Sequence, residues 1–321
     1  MKKIFFTILF LLAFIFSSQG QTADKKQAQR KSLSLTLKSP QPSKEANTLL
    51  QKMSFYAIFS SLYDTNIEHD ETNIRSLGAV FGLGTNFKSS EKKPAIEMNY
   101  EVAKHLYTRT NRWDVFSHNF EMRYNRSLNQ NLSFSSEGEV AIRGNSDDRE
   151  LSNQYIFKQA AKYRFNSANR LGLFGGYRFR RYDEIGRNAN NPFVGAEFSH
   201  RLGENQTIKG EYRYEKNRAI EPRNRYIRRT YSLEFNTRLF GADKLIIEGR
   251  WRPQTYKRII KVDKGLKTRR DERWVCNLAY EFMVGRNIEL MPFYKFENRQ
   301  SNDPDKFFNA HLAGFSLRFN F

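Results

Sequence analysis

The chain carries one cysteine, Cys276. A single thiol closes no internal disulfide, and it excludes zinc or iron–sulfur centres built from several cysteines. The five histidines, at positions 69, 105, 118, 200 and 311, are scattered, with no His-Glu-x-x-His or paired-ligand spacing. Ser117 and His118 alternate to opposite faces of an extended segment, so the two cannot act as a dyad. The glycines of Gly82-Leu83-Gly84 suit a strand better than a phosphate cradle. No cofactor, metal site or catalytic group is therefore expected. Long apolar runs are also missing beyond the first 16 residues, which excludes membrane-spanning helices from the rest of the chain.

Acidic residues are scarce beside basic ones. The 321 residues hold 54 Lys and Arg against 34 Asp and Glu, a formal charge of +20. Mean hydropathy is −0.73, a value that would suit a partly disordered chain. Aromatic residues nevertheless make up 15%, and a disordered chain would not carry them.

The amino terminus reads as an export leader. Lys2 and Lys3 precede an apolar run, Ile4 to Phe16, and the small residues Ser18 and Gly20 mark a cut before Gln21. At 13 residues the run falls short of the roughly 20 that a spanning helix needs. Residues 21–51 form a basic arm, with Lys25, Lys26, Arg30, Lys31, Lys38 and Lys44 against Asp24 and Glu45. Such an arm could meet a periplasmic partner.

From about residue 52 to residue 321 the dominant rhythm has period two. Ile208, Gly210, Tyr212 and Tyr214 alternate with Lys209, Glu211, Arg213 and Glu215, so one face is apolar or aromatic and the other charged. Tyr231, Leu233 and Phe235 alternate in the same way against Ser232, Glu234 and Asn236. About fourteen such segments can be marked, with twelve to sixteen open, each long enough to cross a bilayer when tilted. Connections alternate between tight turns rich in Asn, Gly and Asp and longer loops, including Asn145 to Asn153, Arg218 to Arg228 and Lys257 to Glu272. So few apolar residues cannot fill a two-layer core. Turned outward to lipid, the same alternation is satisfied, and closure leaves no strand edge unpaired. The expectation is all-β: a closed antiparallel transmembrane β-barrel with short turns in the periplasm and Trp113, Trp251 and Trp274 at the interfaces.

The last segment carries the most specific local signal. Phe315, Leu317, Phe319 and Phe321 alternate with Ser316, Arg318 and Asn320, and the chain stops on Phe. In this it resembles bacterial outer-membrane β-barrel proteins of Gram-negative cells, whose final aromatic strand is recognised by the barrel-assembly machinery. Tyr63-Asp64-Thr65-Asn66 also resembles the Tyr-Asp-x-Asn found early in some porin-like barrels and in the barrel of surface-lipoprotein assembly modifiers. The helical-repeat domain that precedes the latter barrel has no counterpart here.

By parity, Lys158, Lys162, Arg164, Arg178, Arg180, Arg213, Arg238 and Arg250 share the inward face with Glu137, Glu211, Glu234 and Glu248. Charges there nearly balance, which favours cross-strand ion-pair ladders, with a cationic stretch around Lys158 to Arg180. The excess is expected in outer loops, at Arg223, Arg225, Arg228 and Arg229 and at Lys261, Lys264, Lys267, Arg269 and Arg270, where lipopolysaccharide phosphates or anionic solutes could be met. No helix or aromatic-interleaved motif supports nucleic-acid binding. These features together suggest a pore or transport channel for small solutes, anionic ones among them. The alternatives are a non-conducting structural or export-assembly barrel and, third, a membrane-embedded hydrolase.

Overall fold

The computed structural model describes residues 53–69, 73–89, 95–109, 114–145, 151–239, 243–262 and 265–321. The expected leader (1–20) and basic arm (21–51) lie outside these residues, as do Lys264 and Trp113.

Fourteen antiparallel strands close into one barrel. They are β1 (Met53–Asp64), β2 (Ser76–Lys88), β3 (Ala95–Tyr107), β4 (Phe116–Ser127), β5 (Leu132–Asn145), β6 (Leu151–Arg164) and β7 (Asn169–Arg181). There follow β8 (Ala189–Arg201), β9 (Gln206–Ala219), β10 (Tyr226–Arg238), β11 (Lys244–Val262), β12 (Gly265–Met283), β13 (Ile288–Ser301) and β14 (Phe308–Asn320). Each strand pairs with its sequence neighbours, and β14 returns to β1 in register from Tyr56↔Asn320 to Asp64↔Leu312. The architecture and strand number are those read from the alternation.

Two rims result. At the turn rim, local side-chain chemistry sets the hairpins: Asn129 Oδ1 accepts the backbone N–H of Asn131 and Leu132, and Asn166 Oδ1 accepts those of Ala168 and Asn169. Gly285 supplies a positive φ of 85° in another turn. Met53 and Asn320 both lie at this rim, where Phe321 donates its N–H to Phe55 O. Apart from the two residues between β11 and β12, the opposite rim carries the longer connections, three of which contain short 3-10 turns: Ile185–Arg187, Pro222–Asn224 and Pro304–Lys306.

The side chains obey the pleat. Leu77, Phe81, Leu83, Tyr155, Phe157, Leu173, Tyr177, Val194, Leu233, Leu278 and Tyr294 are exposed on the outer wall, although they are large and apolar. In water such a surface would be unstable; around a closed barrel it is the lipid contact. An aromatic tier runs through register partners of four neighbouring strands. Tyr212 and Tyr231 are 5.1 Å apart, Tyr231 and Trp251 5.1 Å, and Trp251 and Trp274 5.5 Å between ring centroids. Cys276 is exposed on the same outer face as Trp274.

The loop-rim strands run further than the sequence pattern suggests. β11 and β12 have 19 residues each, so much of the expected loop from Lys257 to Glu272 is a continued hairpin with a register shift between Thr255 and Ile259. Residues expected in outer loops are accordingly relocated. Lys261 belongs to β11, and Lys267, Arg269 and Arg270 to β12. Arg228 and Arg229 belong to β10, where Arg228 is buried inside the barrel and Arg229 is exposed outside. Only Arg223 and Arg225, among the described members of that set, sit in a connection. The physical reason is that backbone pairing is indifferent to charge: alternating basic and acidic residues extend a ladder as readily as apolar ones where both faces meet polar surroundings.

Candidate functional site

Most of the described charged side chains of the strands converge on the inner wall. Near the turn rim they form cross-strand pairs in contact with water. Arg123 Nη2 lies 3.2 Å from Glu137 Oε1, Lys209 Nζ 2.8 Å from Glu234 Oε1, Lys244 Nζ 3.4 Å from Glu281 Oε2 and Lys88 Nζ 3.7 Å from Glu97 Oε1. Further along the wall, Arg250 contacts Glu248 on its own strand, β11, and the other oxygen of Glu248 accepts a 2.7 Å bond from Asn277 Nδ2 on β12. Lys162 crosses over β7 to reach Glu197 at 2.7 Å. Pairs this exposed contribute about 0–1 kcal/mol each. Their effect is to line a passage with fixed charges.

Near the loop rim the same wall is dry. Glu215, 1% exposed, accepts Arg178 and Arg228 and also takes a 2.8 Å bond from Asn191 Nδ2. Glu297, fully buried, meets Arg273 Nη2 at 2.5 Å, Lys295 Nζ at 3.3 Å and His69 Nδ1 at 3.3 Å. Asp271 takes Arg269 Nη2 at 2.7 Å, Arg299 Nη2 at 2.5 Å and the Ser301 hydroxyl at 2.6 Å. Three buried carboxylates thus each gather at least two cations, an arrangement in which removing one partner is far costlier than at the turn rim.

The tetrapeptide at the end of β1 fastens the first loop to this region. Asp64 Oδ1 accepts the Asn66 N–H at 2.9 Å, Asn66 Nδ2 donates to Asn73 Oδ1 at 2.9 Å and to Asn309 O at 3.3 Å, and Thr65 exchanges bonds with His311 of β14. Asp64, Thr65 and Asn66 thus form a seam clamp between β1 and β14, while Tyr63 is exposed.

An inward aromatic island escaped the alternation rule. Phe174 of β7 and Phe193 of β8 are buried against Ala160 on the inner wall, while the apolar partners of their strands face outward. Lys158 Nζ lies 4.5 Å from the Phe174 centroid, and the Arg213 guanidinium 5.7 Å from that of Phe193. Gly195 and Gly176 make the room, because an added Cβ at 176 would stand 2.7 Å from the Phe193 ring and one at 195 would strike Phe174. Glycine one strand across from an out-of-phase Phe is the sequence signal that would have revealed the pair.

Around the circumference the charges separate. β3 to β5 turn Glu97, Glu101, Glu121, Glu137 and Glu139 inward with Arg123. A cavity of about 440 Å³ opens here beside Ser54, Asn86 and Lys88. Seven strands away, β10 and β11 present Arg228, Arg238, Lys244, Arg250 and Arg252 against Glu234 and Glu248. Balanced totals therefore conceal an acidic wall facing a basic one. Arg164 and Arg238 are exposed near the turn rim, and Arg180 is buried with its Nη1 3.3 Å from the Tyr226 hydroxyl. Glu211 faces inward at the register position of Glu197.

Tertiary contact also forms one Ser–His pair: His105 Nε2 lies 3.0 Å from Ser117 Oγ, both on the inner face. Among the described residues no acidic group orients the other ring nitrogen. Also among the described residues, no cluster of three or more His, Cys, Asp or Glu side chains could hold a metal ion.

A closed fourteen-strand barrel with an apolar outer wall and a charged inner one has the architecture of bacterial outer-membrane porins and channels. Solved structures of similar shape include an anion-selective porin from Comamonas acidovorans, with a TM-score of 0.50, 8% identity, and coverage of 84% of this chain and 99% of that one. The outer-membrane channel DcaP of Acinetobacter baumannii aligns at a TM-score of 0.49 and 9% identity over 84% and 96% of the two chains. The outer-membrane protein OmpT of Vibrio cholerae aligns at 0.47 and 10% over 84% and 97%. At such identities the likeness is one of fold. No protein-family profile matches the sequence, and no curated protein matches it.

Proposed function

We propose that the protein is an outer-membrane channel for small anionic solutes whose loop-side half is narrowed by buried ion-pair networks. The observation that carries this reading is the division of the inner wall: water-exposed pairs such as Lys209–Glu234 at one end, and the dry nodes at Glu215, Glu297 and Asp271 at the other. An anion entering from the turn rim meets a basic arc on β6 to β11, where Lys158 lies over the Phe174 ring and Arg213 over that of Phe193. The Comamonas acidovorans porin, whose barrel is similar, is anion-selective. No enzymatic role is assigned, since the Ser117–His105 pair lacks an orienting acid among the described residues.

Planar-bilayer recording of the purified protein in a potassium chloride gradient tests the reading. Small discrete steps with a reversal potential on the chloride side are expected. Silence in the bilayer from folded barrels would overturn it in favour of the second reading, a non-conducting structural or export-assembly barrel, which the dry loop-side nodes also favour.

A further inference from the structure

The outer wall carries cations that the channel does not use. On β9 and β10, just beyond the aromatic tier of Tyr212 and Tyr231, Lys216, Arg218 and Arg229 are exposed and on the outward side of the pleat. Register fixes their spacing: Arg229 stands opposite Tyr214, with Lys216 two residues further along β9 and Arg218 two beyond that. Successive members are therefore about 7 Å apart along or diagonally across the sheet. None of the three makes a hydrogen bond or ion pair with any described residue. The nearby loop glutamate, Glu221, is already engaged by Arg223 at 2.5 Å.

Three unpaired cations two, four and six residues beyond a lipid-facing aromatic belt are costly to leave bare and stand at headgroup level. Arg and Lys in such a row suit several negatively charged phosphate oxygens held at fixed separation on one molecule. With the loop rim facing outward, the leaflet at this level is the one that contains lipopolysaccharide. Below the tier, Gly210 on β9 leaves open space above its Cα, next to Leu233 of β10, a shallow apolar dip in which an acyl chain can lie. We infer that Lys216, Arg218 and Arg229 form a docking site for the phosphates of a lipopolysaccharide molecule on the outer wall of β9 and β10.

Native mass spectrometry tests this on the full-length protein extracted in mild detergent and exposed to lipid A. The wild type is expected to retain one bisphosphorylated lipid A, to bind the dephosphorylated lipid at least tenfold less, and to prefer lipid A over phosphatidylglycerol. K216Q/R218Q/R229Q should lose retention at least tenfold, K216R/R218K/R229K should restore it, and R126Q, on the outer wall at the turn rim, should leave it unchanged. Heat-modifiable migration on gels confirms that each variant is a folded barrel. Equal retention by the folded triple Gln variant would overturn the site, and equal binding of phosphatidylglycerol would overturn the choice of lipid. Conductance is recorded in parallel: a silent barrel that still loses lipid A on substitution rejects the channel while supporting the site.

Discussion

Lys162 of β6 and Glu197 of β8 meet at 2.7 Å across the intervening strand β7, over Gly172. A Cβ at 172 would stand 2.7 Å from Glu197 Cγ, so the glycine is the gap through which the pair forms. Tyr56 uses the same device at Gly84, crossing β2 to donate its hydroxyl to Asn99 Oδ1 at 3.0 Å or Glu101 Oε2 at 3.1 Å on β3. Glycines on the inner wall thus allow charged and aromatic side chains to bridge strands that do not pair.

Gly172→Ala should displace Glu197 and release Lys162. Because the pair is about a third exposed, the stability cost is expected to stay within about 1 kcal/mol. Adding Glu197→Gln removes the carboxylate itself, so G172A/E197Q should raise anion preference while G172A alone, with the net fixed charge unchanged, should not. Reversal potentials in a salt gradient read the difference, and an unchanged potential in a conducting G172A/E197Q barrel would show that this pair does not face the permeation path.

Glu215→Gln should behave very differently from Glu234→Gln. Glu215 is the shared carboxylate of Arg178 and Arg228 out of contact with water, so its loss is expected to destabilise the barrel by about 3–5 kcal/mol. Glu234, in an exposed pair with Lys209, should cost no more than about 1 kcal/mol. Urea unfolding from detergent micelles compares the two. Similar midpoints would mean that the loop-side node is hydrated.

The separated arcs predict opposite shifts in selectivity. Neutralising the acidic wall with E97Q/E121Q/E137Q should move the reversal potential further toward chloride. K158E/R213E should move it toward potassium, since these two cations lie over aromatic rings on the basic arc. Shifts of the same sign in both variants would place the permeation path elsewhere.

Deletion of Phe321 should reduce the fraction of chains that reach the heat-modifiable barrel. Its N–H bonds to Phe55 O at the β1–β14 closure, and its side chain is exposed at the turn rim, free for recognition. Quantifying folded against unfolded bands in a membrane fraction measures the loss. Full assembly of the truncated chain would remove the signal from Phe321 and leave it to Phe315, Leu317 and Phe319.

How much was readable beforehand depends on the range of the interaction. Period-two alternation in segments such as Ile208 to Glu215 determined strand, face and barrel, because the pleat projects each residue by its own parity and lipid selects the apolar side. The ion-pair tendency of Glu137 and Glu234 followed from the same parity. Phe174 and Phe193 were not readable, because their inward placement depends on glycines in a neighbouring strand. Arg228 and Arg269 were misplaced because a run rich in charge looks like a loop when neither of its faces is apolar.

Sequence by itself settled what touches lipid, since that choice is made residue by residue against a uniform solvent. Register and closure decided the rest: which cations share a carboxylate, that acidic β3 to β5 stand across from basic β10 and β11, and that Lys216, Arg218 and Arg229 are left outside without partners. Those relationships join residues far apart along the chain, and only the alignment of closed strands brings them within reach of one another.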